Sequence, residues 1–274
     1  MRWAVVSAFL ALAQSAFAQL VSGTILYAQW SRDEIVLGAD SRDVLGDSYA
    51  DTGCKIAALD GKVIFAAAGR IARTGRHGWD GVTIANREFL RLTSTNSPDP
   101  LTRRLAEAWG KAVQSELENA GAAAFAGLDD RHMAAGIFAM FDNTGSLSIA
   151  VASLRYETSG DGYPKVIASV QSIPVKPGAY ILGHREILDE CAQRRTKRAI
   201  QWAGEIEQAA RSGGDPLVTG TRKVIELTID NLPRTKIDAS GVRFSVVGPP
   251  IALILLRRGQ RAEWMEPGQC RLQP

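Results

Sequence analysis

Hydrophobic positions in the first part of the chain fall into short β-rich runs broken by turn residues, and further on they switch to helical spacing. Residues 23–30 and 34–40 flank Ser31-Arg32-Asp33, which predicts a hairpin. Residues 55–59 and 63–68 flank Asp60-Gly61, a dipeptide suited to the positive φ values of a tight two-residue turn, and predict a second. Helical spacing follows over 70–94 and 101–119, separated by Asn96-Ser97-Pro98-Asp99-Pro100. In the second of these stretches Leu105, Trp109, Val113 and Leu117 recur every four residues, the stripe of a helix face that packs on a core.

After the Gly/Ala-rich stretch 120–128, strand patterns return at 134–141, 146–154, 166–172 and 179–182. Helical blocks follow at 186–210 and 216–231, and strands at 242–247 and 251–256 close the chain. The order is strands, helices, strands, helices, strands, with no Pro/Ser-rich linker between blocks. It predicts one α+β domain in which helices cover a pair of packed sheets.

Composition agrees with a folded core: 46% of residues are hydrophobic and 22% charged, far from disordered or membrane compositions. A formal charge of +3 is too small to mark a nucleic-acid footprint, so no nucleic acid is expected as partner. Arg2, the apolar run 4–13 and the small-x-small Ala16-Phe17-Ala18 read as a signal peptide over 1–18, which places the mature protein in a secreted or periplasmic compartment. No membrane span is expected after cleavage, since the apolar run 249–256 has strand length and is stopped by Arg257-Arg258.

Cys54, Cys191 and Cys270 have no metal-ligand spacing; one pair could form a disulfide, and the sequence does not say which. His77, His132 and His184 are isolated, and there is no phosphate loop, dinucleotide fingerprint or calcium loop, so no metal or organic cofactor is expected. The basic stretch Arg194-Arg195 with Lys197-Arg198 reads as a solvated helix face.

The chemistry concentrates in Gly23-Thr24-Ile25-Leu26, Ile35-Val36-Leu37-Gly38-Ala39-Asp40-Ser41-Arg42, Gly46, Lys55-Ile56 and Phe65-Ala66-Ala67-Ala68-Gly69. In spacing and residue type this segment resembles the proteasome β-subunit family of N-terminal-nucleophile hydrolases. The intervals Thr24 to Asp40 and Lys55 to Gly69 match that family without a gap, while Asp40 to Lys55 is one residue shorter than usual. The motif covers the first third of the chain, and the remainder agrees in element order. The resemblance implies a four-layer αββα sandwich of two mainly antiparallel sheets covered by helices. It also implies cleavage of the Gly23-Thr24 bond, so that 19–23 would be a short propeptide and 24–274 the domain, and assembly into a homo-oligomeric ring.

Those residue types belong together chemically. A threonine hydroxyl is a weak nucleophile that needs a base, and a free α-amine, with a pKa of about 8, can supply it. By the resemblance Thr24 is the nucleophile, Lys55 keeps the amine's acceptor available by electrostatic repulsion, and Asp40 holds Lys55 charged and oriented. The Gly69 N–H would donate to the developing oxyanion. Two departures stand out. Where the family has a serine after the glycine that ends its eighth strand, this chain has Leu182-Gly183-His184, which makes His184 a candidate polar partner. Asp238 and Ser240 fall where a buttressing aspartate and serine belong, with a separation one residue shorter.

The expected function is a secreted or periplasmic threonine hydrolase acting on peptide or other amide bonds. Two alternatives remain open: a non-catalytic protein of the same fold that retains Gln19–Gly23 and serves in assembly or binding, and an amidase acting on small molecules.

Overall fold

The computed structural model describes residues 25–45, 48–50, 54–73, 79–120, 132–158, 164–174, 176–212, 214–234, 236–237 and 240–266. The expected signal peptide, residues 19–23, Thr24 and Asp238 lie outside them.

The described residues form an α+β structure built on two antiparallel five-stranded sheets. The first orders β12 (Gly178–Gly183), β1 (Ile25–Trp30), β2 (Glu34–Asp40), β15 (Ile251–Arg257) and β16 (Glu263–Trp264). The second orders β11 (Pro164–Ser172), β10 (Leu147–Thr158), β9 (His132–Phe141), β6 (Val63–Gly69) and β5 (Ile56–Leu59). Three two-stranded ribbons accompany them: β3 (Asp43–Leu45) with β4 (Ser48–Ala50), β7 (Ala72–Arg73) with β8 (Trp79–Asp80), and β13 (Lys236–Ile237) with β14 (Arg243–Phe244).

Alternation along the strands decides the layering, because successive side chains point to opposite faces. Ile35, Leu37 and Ala39 of β2 meet Ile64, Ala66 and Ala68 of β6 in a core between the sheets. The opposite face of β6, with Val63, Phe65 and Ala67, packs on helices α1 (Gly81–Thr93) and α2 (Leu101–Asn119). The opposite face of β2, with Val36, packs on α5 (Pro216–Asn231), and α3 (Glu186–Gln193) and α4 (Lys197–Ser212) lean on α5 in turn. Strands covered on both faces read as nearly continuous hydrophobic runs, which is how 63–68 and 251–256 look in the sequence. The predicted α2 stripe is core: Leu105, Trp109 and Val113 are fully buried, and Trp109 and Phe138 stand 5.6 Å and 4.7 Å from Phe65, centroid to centroid.

The predicted turn at Asp60-Gly61 has φ 49° and 65°, as a two-residue hairpin requires. Three expectations need correction. Helical structure does not begin at residue 70: Ala72–Arg73 and Trp79–Asp80 pair as a ribbon, and α1 starts only where the Asp80 carboxylate accepts from the N–H groups of Val82 and Thr83. The block 186–210 is two helices, parted at Arg194, whose φ of 46° ends α3, and restarted where Thr196 Oγ1 accepts from Ala199 N. The strand expected at 242–247 is only Arg243–Phe244, because the residues after it bond to Arg42 and Asp40 instead of joining a sheet.

Arg194, Arg195, Lys197 and Arg198 are exposed, as expected of a solvated face, and two of them have surface partners: Arg194 donates to Glu207 (2.6 Å), and Arg198 lies 4.4 Å over the Trp202 ring. Among the described residues no helix is long and apolar enough to cross a membrane.

Candidate active site

Asp40 is the last residue of β2 and Lys55 immediately precedes β5, so the two come from different sheets and meet at the same end of the core between them. Lys55 Nζ donates to Asp40 Oδ1 at 3.1 Å and to the carbonyl of Arg42 at 2.5 Å. Both residues are buried, at 1% and 2% exposure. Two opposite charges at this depth hold only with good geometry and further hydrogen bonds, and Asp40 has them. Its Oδ1 also accepts from Ile25 N (3.1 Å), and its Oδ2 accepts from Arg42 N (3.2 Å) and Gly248 N (3.2 Å). One carboxylate thereby ties together the start of β1, the end of β2, the residue ahead of β5 and the approach to β15.

Burial pushes the Asp40 carboxyl above the usual carboxylate range, and Lys55 with the N–H groups of Gly248 and Ile25 opposes that shift without cancelling it. Arg42 seals the site from the side: its guanidinium donates to the Ser245 carbonyl (3.0 Å) and lies so close to Gly248 that a Cβ there would collide with it. Asp40 is buried and accepts from the Arg42 main-chain N–H.

Gly69 ends β6 on the same side of the sheet. The Lys55 carbonyl accepts from Ala67 N at 2.8 Å, which fixes Lys55 two residues back along the strand from Gly69. Gly69 has φ 91°, and a Cβ there would run into the Met133 carbonyl, with Ala134 Cα at 2.8 Å. Only glycine fits both constraints. Gly69→Ala is expected to cost about 2–4 kcal/mol from backbone strain and the forced shift of β9, read as a lowered urea midpoint.

His184 follows Gly183, which is the register partner of Ile25 on β1. Its Nδ1 lies 3.3 Å from Glu186 Oε1, its side chain is 16% exposed, and its buried Nε2 has no hydrogen-bond partner among the described residues. The bond with His184 pulls the Glu186 carboxyl below its ordinary range. Ser240 stands exposed beside Gly241 in the turn between β13 and β14.

Cys54, next to Lys55, is disulfide-bonded, and Cys191 is buried and free; Cys270 lies outside the described residues. Burial raises the Cys191 thiol to about 11, which makes it unreactive at neutral pH. No three His, Cys, Asp or Glu side chains come together as a metal-ligand set among the described residues.

Asp40 and Lys55 are thus joined directly, and Gly69 is tied to Lys55 through Ala67. The main-chain partners Ile25, Arg42 and Gly248 carry no sign in the sequence, because a backbone N–H leaves no residue-type signature. No protein-family model matches the chain, and no curated protein matches it.

Proposed function

We propose that the protein is a threonine hydrolase of the proteasome-like, N-terminal-nucleophile type, with the αββα sandwich of that group, secreted or periplasmic, and acting on peptide or other amide bonds. The observation that supports it most is the Asp40 carboxylate, buried, ion-paired to Lys55 and bonded to the N–H of Ile25, the residue after Thr24.

In this reading, removal of residues through Gly23 frees the Thr24 α-amine. The amine takes the hydroxyl proton as Thr24 Oγ attacks a substrate carbonyl, and it returns that proton to the leaving amine of the substrate. Lys55, held by Asp40 and the Arg42 carbonyl, keeps a positive charge beside the site, which favours the neutral amine and stabilises the oxyanion. The Gly69 N–H donates to that oxyanion. Water then hydrolyses the acyl ester on Thr24, and the hydroxyl is restored. Assembly into a ring goes with the same reading and rests on resemblance.

The reading makes a pH prediction. Asp40 must be ionised to orient Lys55, and its carboxyl is raised by burial. Activity is therefore expected to fall on acidification at a pH above the ordinary carboxylate value of about 3.9. The stability term has the opposite sign: ionising a carboxyl whose folded pKa is raised costs more in the fold than in the unfolded chain, so this contribution declines as pH rises through that window. The test is kcat/KM against pH for the processed protein on a panel of peptidyl coumarin amides. An acid limb at or below the ordinary carboxylate value would remove Asp40 from its assigned role.

A further inference from the structure

The chain has three cysteines, Cys54, Cys191 and Cys270. Cys54 is disulfide-bonded and partly buried, whereas Cys191 is a free thiol, fully buried beside Ile187, Trp202 and Ala203 of α3 and α4. Cys270 alone is left to close the bond with Cys54. The path of the chain agrees. β16 runs antiparallel to β15, with Trp264 opposite Ile254 and Met265 N donating to the Leu253 carbonyl at 3.0 Å. It heads toward Ile251, which stands opposite Asp40 in the β2–β15 register. The five residues from Met265 to Cys270 can span about 17 Å, and a disulfide brings its two Cα atoms within about 7 Å.

The bond sits where the site is least supported by sheet. The β5–β6 ladder begins at Ile56 opposite Ala66, and among the described residues one main-chain bond holds Lys55 ahead of it, from Ala67 N to the Lys55 carbonyl. The Lys55 ammonium must still reach across to the other sheet, to Asp40 Oδ1 (3.1 Å) and the Arg42 carbonyl (2.5 Å). Cys54 is the residue before Lys55, and its Sγ lies 3.5 Å from the Ile56 carbonyl oxygen. A cross-link at Cys54 therefore grips the chain on the side where the ladder ends. The charge that faces Asp40 is that of Lys55, while Arg42 directs its guanidinium to the Ser245 carbonyl.

We infer that a Cys54–Cys270 disulfide clamps the segment after β16 to the chain just ahead of β5 and so positions Lys55 against Asp40. Cys54 and Cys270 are positioning residues, and the bearing of the clamp on catalysis rests on the hydrolase reading above. The bond forms by thiol–disulfide exchange: the two thiols give up two electrons and two protons to an exchanging disulfide, which is itself reduced to two thiols. Such a bond persists in an oxidising compartment, in keeping with the secreted or periplasmic reading. A dithiol reductant reverses the step and removes the clamp. Cys191 stays out of the exchange, since it is fully buried and its thiol is raised to about 11.

The experiment uses the full chain made under oxidising conditions, as parent and as Cys54→Ser with Cys270→Ser. Peptide mapping of the parent without reductant is expected to show Cys54 joined to Cys270; Cys54 joined to Cys191, or left free, overturns the inference. Thermal midpoints are then compared at mildly acidic and mildly alkaline pH. The double variant is expected to melt roughly 5–15 °C lower at acid pH, the scale of a lost cross-link in a domain of this size, and lower still at alkaline pH. The added loss arises because a loosened Lys55 leaves the Asp40 charge poorly countered in the core, a cost that grows as Asp40 ionises. A loss equal at the two pH values, or no loss, overturns the role of the bond at Lys55. If the double variant does not fold, the folded parent treated with a dithiol reductant gives the same comparison. On peptidyl coumarin amides, reduction of the parent is expected to lower kcat/KM by up to about 100-fold, the scale of a misplacement of about 1 Å, and to move its acid limb to higher pH. An unmoved limb overturns the positioning role. A parent without amidase activity overturns the hydrolase reading and leaves the disulfide and its pH-dependent contribution to stability standing.

Discussion

Thr24→Ala is expected to leave a folded protein whose amide-bond hydrolysis is lower by at least about 10⁴-fold. Removing the nucleophile of a hydrolase costs on that order, because the remaining oxyanion donors and binding groups supply only a residual acceleration. The fold should survive, since the bond made near this point belongs to the main chain: Ile25 N donates to Asp40 whatever side chain precedes it. The measurement is turnover of peptidyl coumarin amides by parent and variant of equal thermal midpoint. Equal turnover in the two, with contaminating hydrolases excluded by a second purification, would contradict the assignment.

Lys55→Ala is expected to act on activity and stability together. The loss of activity follows from the role proposed for Lys55; the buried pair adds a large stability cost. Asp40 is 1% exposed, and without Lys55 its charge is left in the core with only main-chain donors. Breaking a buried pair from one side costs about 3–5 kcal/mol. The loss should depend on pH in a definite direction. With its counter-ion gone the Asp40 carboxyl rises further, so the variant escapes the penalty at acid pH by keeping Asp40 neutral and loses more stability as pH rises, up to about 1.4 kcal/mol per pH unit. Urea unfolding at mildly acidic and mildly alkaline pH reads this. Asp40→Asn combined with Lys55→Met removes both charges and is expected to recover much of the stability and none of the activity. A Lys55→Ala midpoint equal to that of the parent at both pH values would show that the pair does not carry this load.

Much of the framework was legible because burial on both faces leaves a plain mark. The runs 34–40, 63–68 and 251–256 are strands between two layers, and the Leu105–Trp109–Val113–Leu117 stripe is a helix face on a sheet. The misread stretches are those where a single side chain or main-chain bond overrides periodicity. Asp80 delays the start of α1, the left-handed Arg194 divides what reads as one helix, and the Ser245–Gly248 segment leaves its expected strand.

At the site, Asp40, Lys55 and Gly69 were singled out by resemblance in spacing and residue type, and two strand hairpins set those intervals. It could not show that Asp40 is saturated by main-chain donors from three further places. Nor could it show that the His184 ring meets Glu186, two residues further on. Contacts of this kind appear only when the elements are packed.

The most direct measurement is the intact mass of the purified protein with N-terminal sequencing, because an armed threonine requires a free amine and the mass reads that without any knowledge of substrate. A chain starting at Thr24 is the expected result, with the longer form retained when Thr24 is replaced by alanine. A stable chain starting at Gln19 would contradict it, since the threonine would then be an internal residue with no amine to serve as base.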